Sequence, residues 1–341
     1  MGFLDSKRVL ILSVKFFNYE NLIKDEIVSM GAKVDLYDER PSNSFYSKAI
    51  IRMKRSLYQL SIDRHYRSII KKIKENKYDY FLLIKGEVVP VFFLEFLRKN
   101  NSGILFIYYT FDSFKNNPNG LSILSFFDRK FTFDRFDAIR YKLTFRPLFY
   151  ASEYANVNQL DNSNYKYDLS FIGTAHSDRY NISQKLYEWC EKFNLKMYNF
   201  YFSPSETLFK YNKLINKNFK NFEKQKISFK SLTHSEIIEI YKNSKAILDI
   251  NHPDQNGLTM RTFETLGAGR KLVTTNADII SYPFYNENNV LIIDRHNPKL
   301  EDDFFNKEFK EIESSIYFSM SLKGWIKELF ENQSNIWEKI V

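Results

Sequence analysis

The sequence predicts an α/β protein with two doubly wound domains, each built on a parallel sheet covered by helices on both faces. Short apolar runs alternate with helical patterns along the chain, and this alternation begins twice, near residue 7 and again near residue 167. The 341 residues are enough for two domains of about 150 residues each. A hydrophobic content of 44% with 17% aromatic residues is typical of folded domains and excludes a disordered chain.

The first half opens with a strand, a helix and a second strand. The run KRVLILSV at 7–14 is short and apolar, as a buried strand requires, and a helical pattern over 21–30 ends at Gly31 before the strand KVDLYD. Three further apolar runs predict strands at 78–86, 103–112 and 129–134. Residues 1–150 are therefore predicted to form the first domain.

The second half repeats this theme after a break. Residues 151–166 lose their periodicity and gain Asn, Ser and Asp, which predicts a linker. Apolar runs then predict strands at 167–173, 196–202, 246–251, 271–276 and 289–294. Residues 167–310 are predicted to form the second domain. Helical patterns at 302–314 and 319–331 predict that residues 311–341 close the chain as helices.

The composition indicates the cellular compartment of the protein. The single cysteine, Cys190, excludes an intramolecular disulfide and a cysteine zinc site, and it favours a reducing compartment. No run reaches the 18 or so apolar residues of a membrane span, and charges interrupt the first residues where a signal peptide would be apolar. We therefore expect a cytoplasmic protein. No histidine spacing typical of a metal site occurs, so no metal and no cofactor are expected.

Basic residues concentrate in the segment 45–74, which has nine Lys and Arg residues against the single acid Asp63. Its apolar residues recur at helical spacing, so it is predicted to form one or two basic amphipathic helices. Such helices can lie on an anionic membrane or contact an acceptor, and the alternative is the solvated face of an ordinary core helix. The residues proposed for this surface are Arg52, Lys54, Arg55, Arg64, Arg67, Lys71 and Lys72. The chain has no zinc-finger spacing, ribonucleoprotein motif or basic tail, so no nucleic-acid partner is expected despite a pI near 9.2.

The stretch NGLTMRTFETLGAG at 256–269 contains three of the ten glycines of the chain. A packing helix needs none of them, because glycine costs about 1 kcal/mol against alanine inside a helix. The stretch follows the strand at 246–251, so its helix would begin at the carboxyl edge of the sheet, where free N–H groups and the helix dipole favour a phosphate. Arg261 lies in the first turn, and Glu264 can accept hydrogen bonds from two sugar hydroxyls.

These residues resemble a known site. The pattern Asn256-Gly257-Leu258, Arg261, Phe263-Glu264 and 266–269, followed by a strand that ends in 274–276, resembles the nucleotide-sugar site of GT-B glycosyltransferases, within the bacterial CgeB-like branch of glycosyltransferase group 1. The segment DLSFIGTAHSDR resembles the first strand and loop of the donor domain in that branch. The similar part covers about 167–295.

The resemblance implies two Rossmann-like, doubly wound domains facing a cleft. The second domain would bind a nucleotide-sugar donor, and the first would bind a glycan or lipid-linked glycan acceptor of the cell surface. Glu264 would bind the ribose, Arg261 would stabilise the diphosphate leaving group without a metal, and Arg179 is a second candidate for the diphosphate. The other donor-site candidates are Gly173, Thr174, His176, His252, Asn256, Gly257, Leu258, Thr259 and Thr262. Many retaining members have a glutamate where this chain has Asn256, so retention and inversion both stay open.

An inverting enzyme needs a base for the acceptor hydroxyl, and Asp112 and Glu87, which follow two predicted strands, are candidates. A structural role is the alternative for both, because exposed acids after strands are common. Two other classes of function are also open. A nucleotide-sugar epimerase would share the fold and use His176 and His252 as acid and base, and a nucleotide-sugar or polyanion-binding module would lack catalysis.

Overall fold

The computed structural model describes residues 2–159, 164–253, 255–301, 303–331 and 336–341. It divides into two compact units, Met1–Pro147 together with Leu322–Val341, and Leu148–Ser321. The predicted division placed all of 311–341 after the second domain, whereas the described residues of Leu322–Val341 belong to the first unit. The part of the predicted linker at 160–163 and the end segment at 332–335 lie outside the described residues.

The first unit is built on a parallel sheet, as predicted. Six strands within its described residues pair in the order β2-β1-β3-β4-β5-β6, and every pair is parallel. The strands are β1 (Arg8–Ser13), β2 (Lys33–Asp38), β3 (Tyr80–Ile84), β4 (Leu105–Thr110), β5 (Arg129–Thr132) and β6 (Thr144–Phe145). The central strands are buried on both faces, which is why their sequences are continuous apolar runs and do not alternate.

Helices cover this sheet. They are α1 (Tyr19–Ser29), α2 (Phe45–Lys54), α3 (Gln59–Ile73), α4 (Val91–Asn100), α5 (Pro118–Ser122) and α6 (Arg135–Tyr141), with 3₁₀ turns at Arg55–Tyr58 and Leu124–Phe126. Asp134 caps α6 by accepting hydrogen bonds from the N–H groups of Phe136 and Asp137. The side chains of Tyr66 and Phe93 meet edge to face in the core, at a centroid distance of 5.0 Å.

The second unit repeats the arrangement, and its described strands pair in the order β12-β11-β10-β7-β8-β9, all parallel. Its strands are β7 (Tyr167–Thr174), β8 (Met197–Phe202), β9 (Ile227–Ser228), β10 (Ser244–Asp249), β11 (Lys271–Thr274) and β12 (Val290–Ile292). Its helices are α7 (Ser152–Asn158), α8 (Arg179–Lys192), α9 (Glu206–Ile215), α10 (His234–Lys242), α11 (Met260–Gly267) and α12 (Ser314–Met320). Further 3₁₀ turns lie at Lys217–Phe219, Lys224–Lys226, Ala277–Ser281 and Phe304–Asn306.

The structure differs from the sequence prediction in a few short segments. The predicted linker contains α7, whose Tyr154 and Val157 are buried. The helix predicted over 302–314 is wrong for the described residues 303–313, because only the 3₁₀ turn at Phe304–Asn306 forms there and α12 begins at Ser314. The side chain of Asn289 donates to the carbonyl of Lys310 and accepts from its N–H, both at 2.7 Å, which satisfies that backbone outside a helix.

The end of the chain is tied into the first unit by a helix, α13 (Leu322–Phe330), and a 3₁₀ turn, Ile336–Ile340. The guanidinium of Arg146, which is fully buried, lies 2.5 Å from a carboxylate oxygen of Glu328. Trp325 packs edge to face on Tyr109 at 4.7 Å. The ion pair compensates a charge that would otherwise be costly to bury.

We expect Glu328→Ala to lower the free energy of unfolding of the first unit by about 3 to 5 kcal/mol, because it leaves Arg146 as an unpaired buried cation. The measurement is guanidinium unfolding followed by fluorescence in a Trp189→Phe background. The remaining tryptophans, Trp325 and Trp337, both lie in the first unit.

The matched control is Glu331→Ala on the same chain segment. Glu331 lies 3.9 Å from Lys327, in a pair that solvent reaches, so its loss is expected to change stability by about 0.5 kcal/mol or less. Equal effects of the two substitutions would contradict a stabilising role for the buried pair.

Candidate functional site

The donor-site candidates meet at the carboxyl edge of the second sheet, where β7, β10, β11 and β12 end side by side. Asp249 is the last residue of β10 and is 1% exposed. Its Oδ2 accepts hydrogen bonds from the hydroxyls of Thr259, at 2.7 Å, and Thr262, at 2.9 Å. Asp249 therefore anchors the start of α11 to the end of the central strand.

This anchoring leaves the start of α11 without a side-chain cap. Thr259 is the N-cap residue, but its hydroxyl is directed to Asp249 and caps no N–H group of the helix. In the same unit, Thr233 and Glu236 form a complete capping box on α10. Because the first N–H groups of a helix attract anions, the uncapped start of α11 suits a phosphate, and phosphate binding there stays a prediction.

Arg261 lies in the first turn of α11, with its side chain 20% exposed and its Nη1 3.7 Å from Oδ1 of Asp249. Among the described residues, the buried Oδ1 of Asp249 accepts no hydrogen bond. Burial lowers the pKa of Arg261, but the field of Tyr241, Asp249 and Glu264 outweighs it, so the pKa lies above its ordinary value. Arg261 is a permanent cation at the edge of the sheet.

Glu264 lies one turn further along α11 and is 6% exposed. Its carboxylate acts on both Arg261 and Tyr241, which places it in the same charged network. The assignment of Glu264 to a ribose stays a prediction.

Two more arginines reach this edge. Arg179, at the start of α8, donates from Nε to the carbonyl of Ile250 at 2.9 Å. Burial and the positive charges of Arg261 and Arg295 together lower its pKa to about 10. Like charges held this close favour binding of an anion that neutralises them.

Arg295 was not singled out by the sequence analysis. Its guanidinium donates to both carboxylate oxygens of Asp178, at 2.7 and 2.8 Å, and to the carbonyl and side-chain oxygens of Asn251, each at 2.7 Å. A further bond reaches the hydroxyl of Thr275 at 3.1 Å. It joins the loops after β7, β10, β11 and β12. The sequence did contain a signal for Arg295, because it directly follows the predicted strand NVLIID. A residue in that position lies at the carboxyl edge of a parallel sheet.

The loop between β10 and α11 is held by its own hydrogen bonds. Asn251 donates to the carbonyl of Gln255, which in turn donates to that of Gly257. Asn276 donates to the carbonyl of Asn256 at 3.0 Å. Gly257 and Leu258 are buried, whereas the side of the loop that carries His252 and Asn256 is exposed. Residue 254 lies outside the described residues.

The glycines of the motif have separate roles. Gly269 has φ +62 and turns the chain from α11 toward β11, as predicted. Gly267 has a different role. A Cβ at this position would lie 2.4 Å from the ring of Tyr150, so the glycine allows that ring to pack on α11. Gly173 and Thr174 are the last residues of β7, and a Cβ on Gly173 would meet the ring of Phe171 at 2.6 Å.

His176 and His252 lie beside the arginines, with their ring centroids 5.8 Å apart. Nδ1 of His176 is 3.1 Å from the hydroxyl of Ser177. Burial lowers the pKa of His176 to about 3, and the positive charge of Arg179 acts in the same direction. His176 is therefore a neutral ring that can exchange hydrogen bonds with a ligand.

We expect the Hε1 resonance of His176 to keep its chemical shift between pH 5 and pH 8, because the ring stays neutral throughout. An NMR titration measures this, with His176→Gln to assign the resonance. Since an unfolded histidine binds a proton below about pH 6.5, this group makes unfolding more favourable as the pH falls from 6.5 toward 3. A midpoint near 6.5 would contradict the burial argument.

In the first unit, the base candidates Glu87 and Asp112 lie on either side of Lys85. The Lys85 ammonium is 3.4 Å from Glu87 and 3.2 Å from Asp112, and Arg40 forms a second ion pair with Glu87. Burial raises the pKa of Glu87, but these two cations outweigh it and the pKa lies below its ordinary value. Glu87 is thus held ionised and neutralised, while Asp112 is 29% exposed at its side chain.

The backbone at Lys85 is in the left-handed region, with φ 86, and Gly86 follows with φ 72. A lysine in that region is uncommon and costs free energy. The carbonyl of Lys85 is held by the hydroxyl of Tyr108, at 2.8 Å, and by the amide of Asn117, at 2.5 Å. The turn therefore directs the ammonium toward both carboxylates.

Glu39 lies beneath this turn and is fully buried. Its carboxylate accepts from the N–H groups of Gly86, at 3.1 Å, and Val88, at 2.5 Å. Burial raises its pKa to about 7, the negative Glu87 raises it too, and the bond from Val88 and the cations Lys85 and Arg40 oppose the shift.

We expect the unfolding free energy to fall as pH rises from about 4.5 to 7 through Glu39, since the folded state holds its proton more tightly than the unfolded state there. In Glu39→Gln this part of the pH dependence of the unfolding free energy is absent. Between pH 5 and pH 8, the unfolding free energy of the variant should therefore rise by on the order of 2 kcal/mol relative to that of the parent chain. Guanidinium unfolding in the Trp189→Phe background measures it. Parallel pH profiles of the two proteins would contradict the titration of Glu39.

The residues proposed for a membrane or acceptor surface lie on α2, the 3₁₀ turn and α3. Six of them are exposed, namely Arg52, Lys54, Arg64, Arg67, Lys71 and Lys72. Arg55 differs, because its guanidinium reaches inward to the carbonyl of Val88 at 3.4 Å. Burial lowers the pKa of Arg55, and the nearby negative charge of Glu39 opposes this.

Among the described residues, no group of three or more His, Cys, Asp or Glu side chains is arranged to hold a metal ion. In the same part of the chain, no helix is long and apolar enough to cross a membrane.

Solved structures share this architecture. The structure of HepE from Anabaena in complex with UDP-glucose has a TM-score of 0.60 and 9% identity, over 96% of this chain and 99% of that chain. A glycosyltransferase from Rickettsia africae ESF-5 has a TM-score of 0.57 and 13% identity, over 96% of this chain and 100% of that chain. The UDP-GlcNAc 2-epimerase from Neisseria meningitidis bound to UDP-GlcNAc has a TM-score of 0.50 and 8% identity, over 96% of this chain and 100% of that chain.

The chain therefore has the GT-B fold, with two Rossmann-like domains, as predicted. At these identities the likeness concerns the fold alone, and the fold serves both a transferase and an epimerase. No protein-family model and no curated protein sequence matches the chain. Its place in the CgeB-like branch stays a prediction.

Proposed function

We propose that this protein is a glycosyltransferase that moves a sugar from a nucleotide-sugar donor to an acceptor glycan of the cell surface. The observation that carries this proposal is the group of arginines, Arg179, Arg261 and Arg295, at the carboxyl edge of the second sheet. They lie beside the uncapped start of α11, and a diphosphate matches both features in charge. The solved structures with UDP-glucose and UDP-GlcNAc support the choice of a nucleotide-sugar, since they share the fold.

The charge at this edge would act on the leaving group. As the bond between the anomeric carbon and the phosphate oxygen breaks, negative charge develops on the diphosphate, and Arg261, Arg179 and the N–H groups of α11 would stabilise it. Arg295 contacts no phosphate in this account, because its Nη donors bind Asp178, Asn251 and Thr275. It fixes the loops that position the other two arginines. The chemistry needs no metal, and metal independence is part of the proposal.

The acceptor would bind to the first unit. Its hydroxyl oxygen forms the new bond to the anomeric carbon and gives its proton to a base. Asp112 is the better candidate, because Glu87 is buried between two cations that lower its basicity. A lipid-linked acceptor on the cytoplasmic side of the membrane would place this unit at the bilayer surface.

We expect UDP, GDP, CDP or CMP, or one of their sugars, to raise the melting temperature of the protein selectively. A ligand at about 100 times its Kd stabilises the folded state by about 2.7 kcal/mol. In Arg261→Met and Glu264→Gln the shift should fall by more than half. Thermal-shift measurements on the purified chain test this, and Glu239→Gln, an exposed carboxylate on α10, is the matched control.

The reaction class is separated by a second measurement with the nucleotide-sugar that binds. Transfer requires an acceptor, so conversion of the sugar without one would identify an epimerase that uses His176 and His252. Binding with neither conversion nor transfer to any glycan would identify a binding module. No shift with any nucleotide would overturn the donor site itself.

A further inference from the structure

The basic segment has two apolar faces in the structure, and only one of them serves the core. Ile51, Ile62, Ile69 and Ile73 are at most 6% exposed and belong to the core of the first unit. The sequence analysis predicted one or two amphipathic helices here and did not divide the apolar residues between faces. Packing on the sheet removes this first set from any outside partner.

The second face is exposed to solvent. Ile50, Met53, Leu57 and Leu60 are 37%, 87%, 72% and 80% exposed, and they follow one another at intervals of three or four residues. We call these four residues the apolar patch. Single exposed apolar residues are ordinary, but four large ones within eleven residues of a helical corner are a mark of an interaction surface.

Exposed cations lie within and after the apolar patch along the chain. The exposed basic residues of the segment are Arg52, Lys54, Arg64, Arg67, Lys71, Lys72 and Lys74. The single acid of the segment, Asp63, accepts a hydrogen bond from Gln59 at 2.7 Å. Arg67 lies over the ring of Phe92 at 5.3 Å, which leaves its charge at the surface. The surface therefore combines aliphatic side chains with an almost unopposed positive charge.

We propose that the apolar patch inserts into the headgroup region of a bilayer that contains anionic lipid, with the exposed cations of the segment on the lipid phosphates. Aliphatic insertion and phosphate attraction are the two terms that bind an interfacial helix to a membrane. A nucleic acid would use the cations but gives no partner to the aliphatic side chains. A second copy of this chain would bring the same positive charge against itself.

This inference deepens the membrane contact in the proposed function, on which it rests, but it does not depend on donor chemistry. The experiment is flotation of the full chain with phosphatidylcholine vesicles, with and without about 30% phosphatidylglycerol. The apolar variant is Met53→Ser with Leu57→Ser and Leu60→Ser. The basic variant is Arg64→Gln with Arg67→Gln, Lys71→Gln and Lys72→Gln. The matched control is Ile139→Ser with Ile280→Ser, which removes exposed apolar side chains at 59% and 58% exposure elsewhere.

We expect the parent chain and the control to float with the anionic vesicles and not with phosphatidylcholine alone. The apolar variant should lose at least about tenfold in partitioning, and the basic variant should lose binding in a salt-dependent way. All variants should keep the parent chain's thermal-shift profile with the nucleotides, so that a failed donor site and a failed membrane surface are told apart. The proposal would be overturned if the apolar variant still bound the vesicles, or if the parent chain bound neutral vesicles equally well. It would also be overturned by a concentration-dependent dimer that the apolar variant abolishes, or by binding to a DNA duplex instead of vesicles.

Discussion

The second unit depends on one buried carboxylate at the end of a central strand. Asp249 accepts hydrogen bonds from the hydroxyls of Thr259 and Thr262 and lies near the guanidinium of Arg261. It thus fixes the start of α11, takes the hydroxyl that could have capped the helix, and holds a cation beside it. Buried carboxylates are stable only when such partners surround them. The polar groups that satisfy Asp249 are the ones that would face an anion, so stability and binding share the same contacts.

The fold was readable from the sequence because buried parallel strands are continuous apolar runs, as in ILFIYY at β4 and AILDI at β10. The short edge strands β6 and β9 were missed, since two residues give no periodicity. The helix α7 was also missed, because burial of Tyr154 and Val157 stabilises a segment whose Asn-rich composition favours a loop. The reverse error occurs near Lys310, where the sequence pattern favours a helix. There the side chain of Asn289 forms the hydrogen bonds to the backbone that a helix would have supplied.

The candidate site was predicted in part. The motif residues from Thr259 to Glu264 are local in sequence, so their shared helix turn could be inferred. Asp249 and Arg295 were missed, because their importance depends on which strands lie side by side, and strand order is not a local property. The two apolar faces of the basic segment could not be separated either. Periodicity indicates that residues share a face, but it does not indicate which of them the sheet will cover.

The buried pair of Arg146 and Glu328 has a consequence for synthesis of the chain. The first unit obtains α13 only from residues made after the whole of Leu148–Ser321, so its core around Tyr109 is incomplete while the second unit is translated. At about 5 to 20 residues per second this interval lasts on the order of ten seconds or more. The first unit can therefore complete its packing only after α13 has been synthesised.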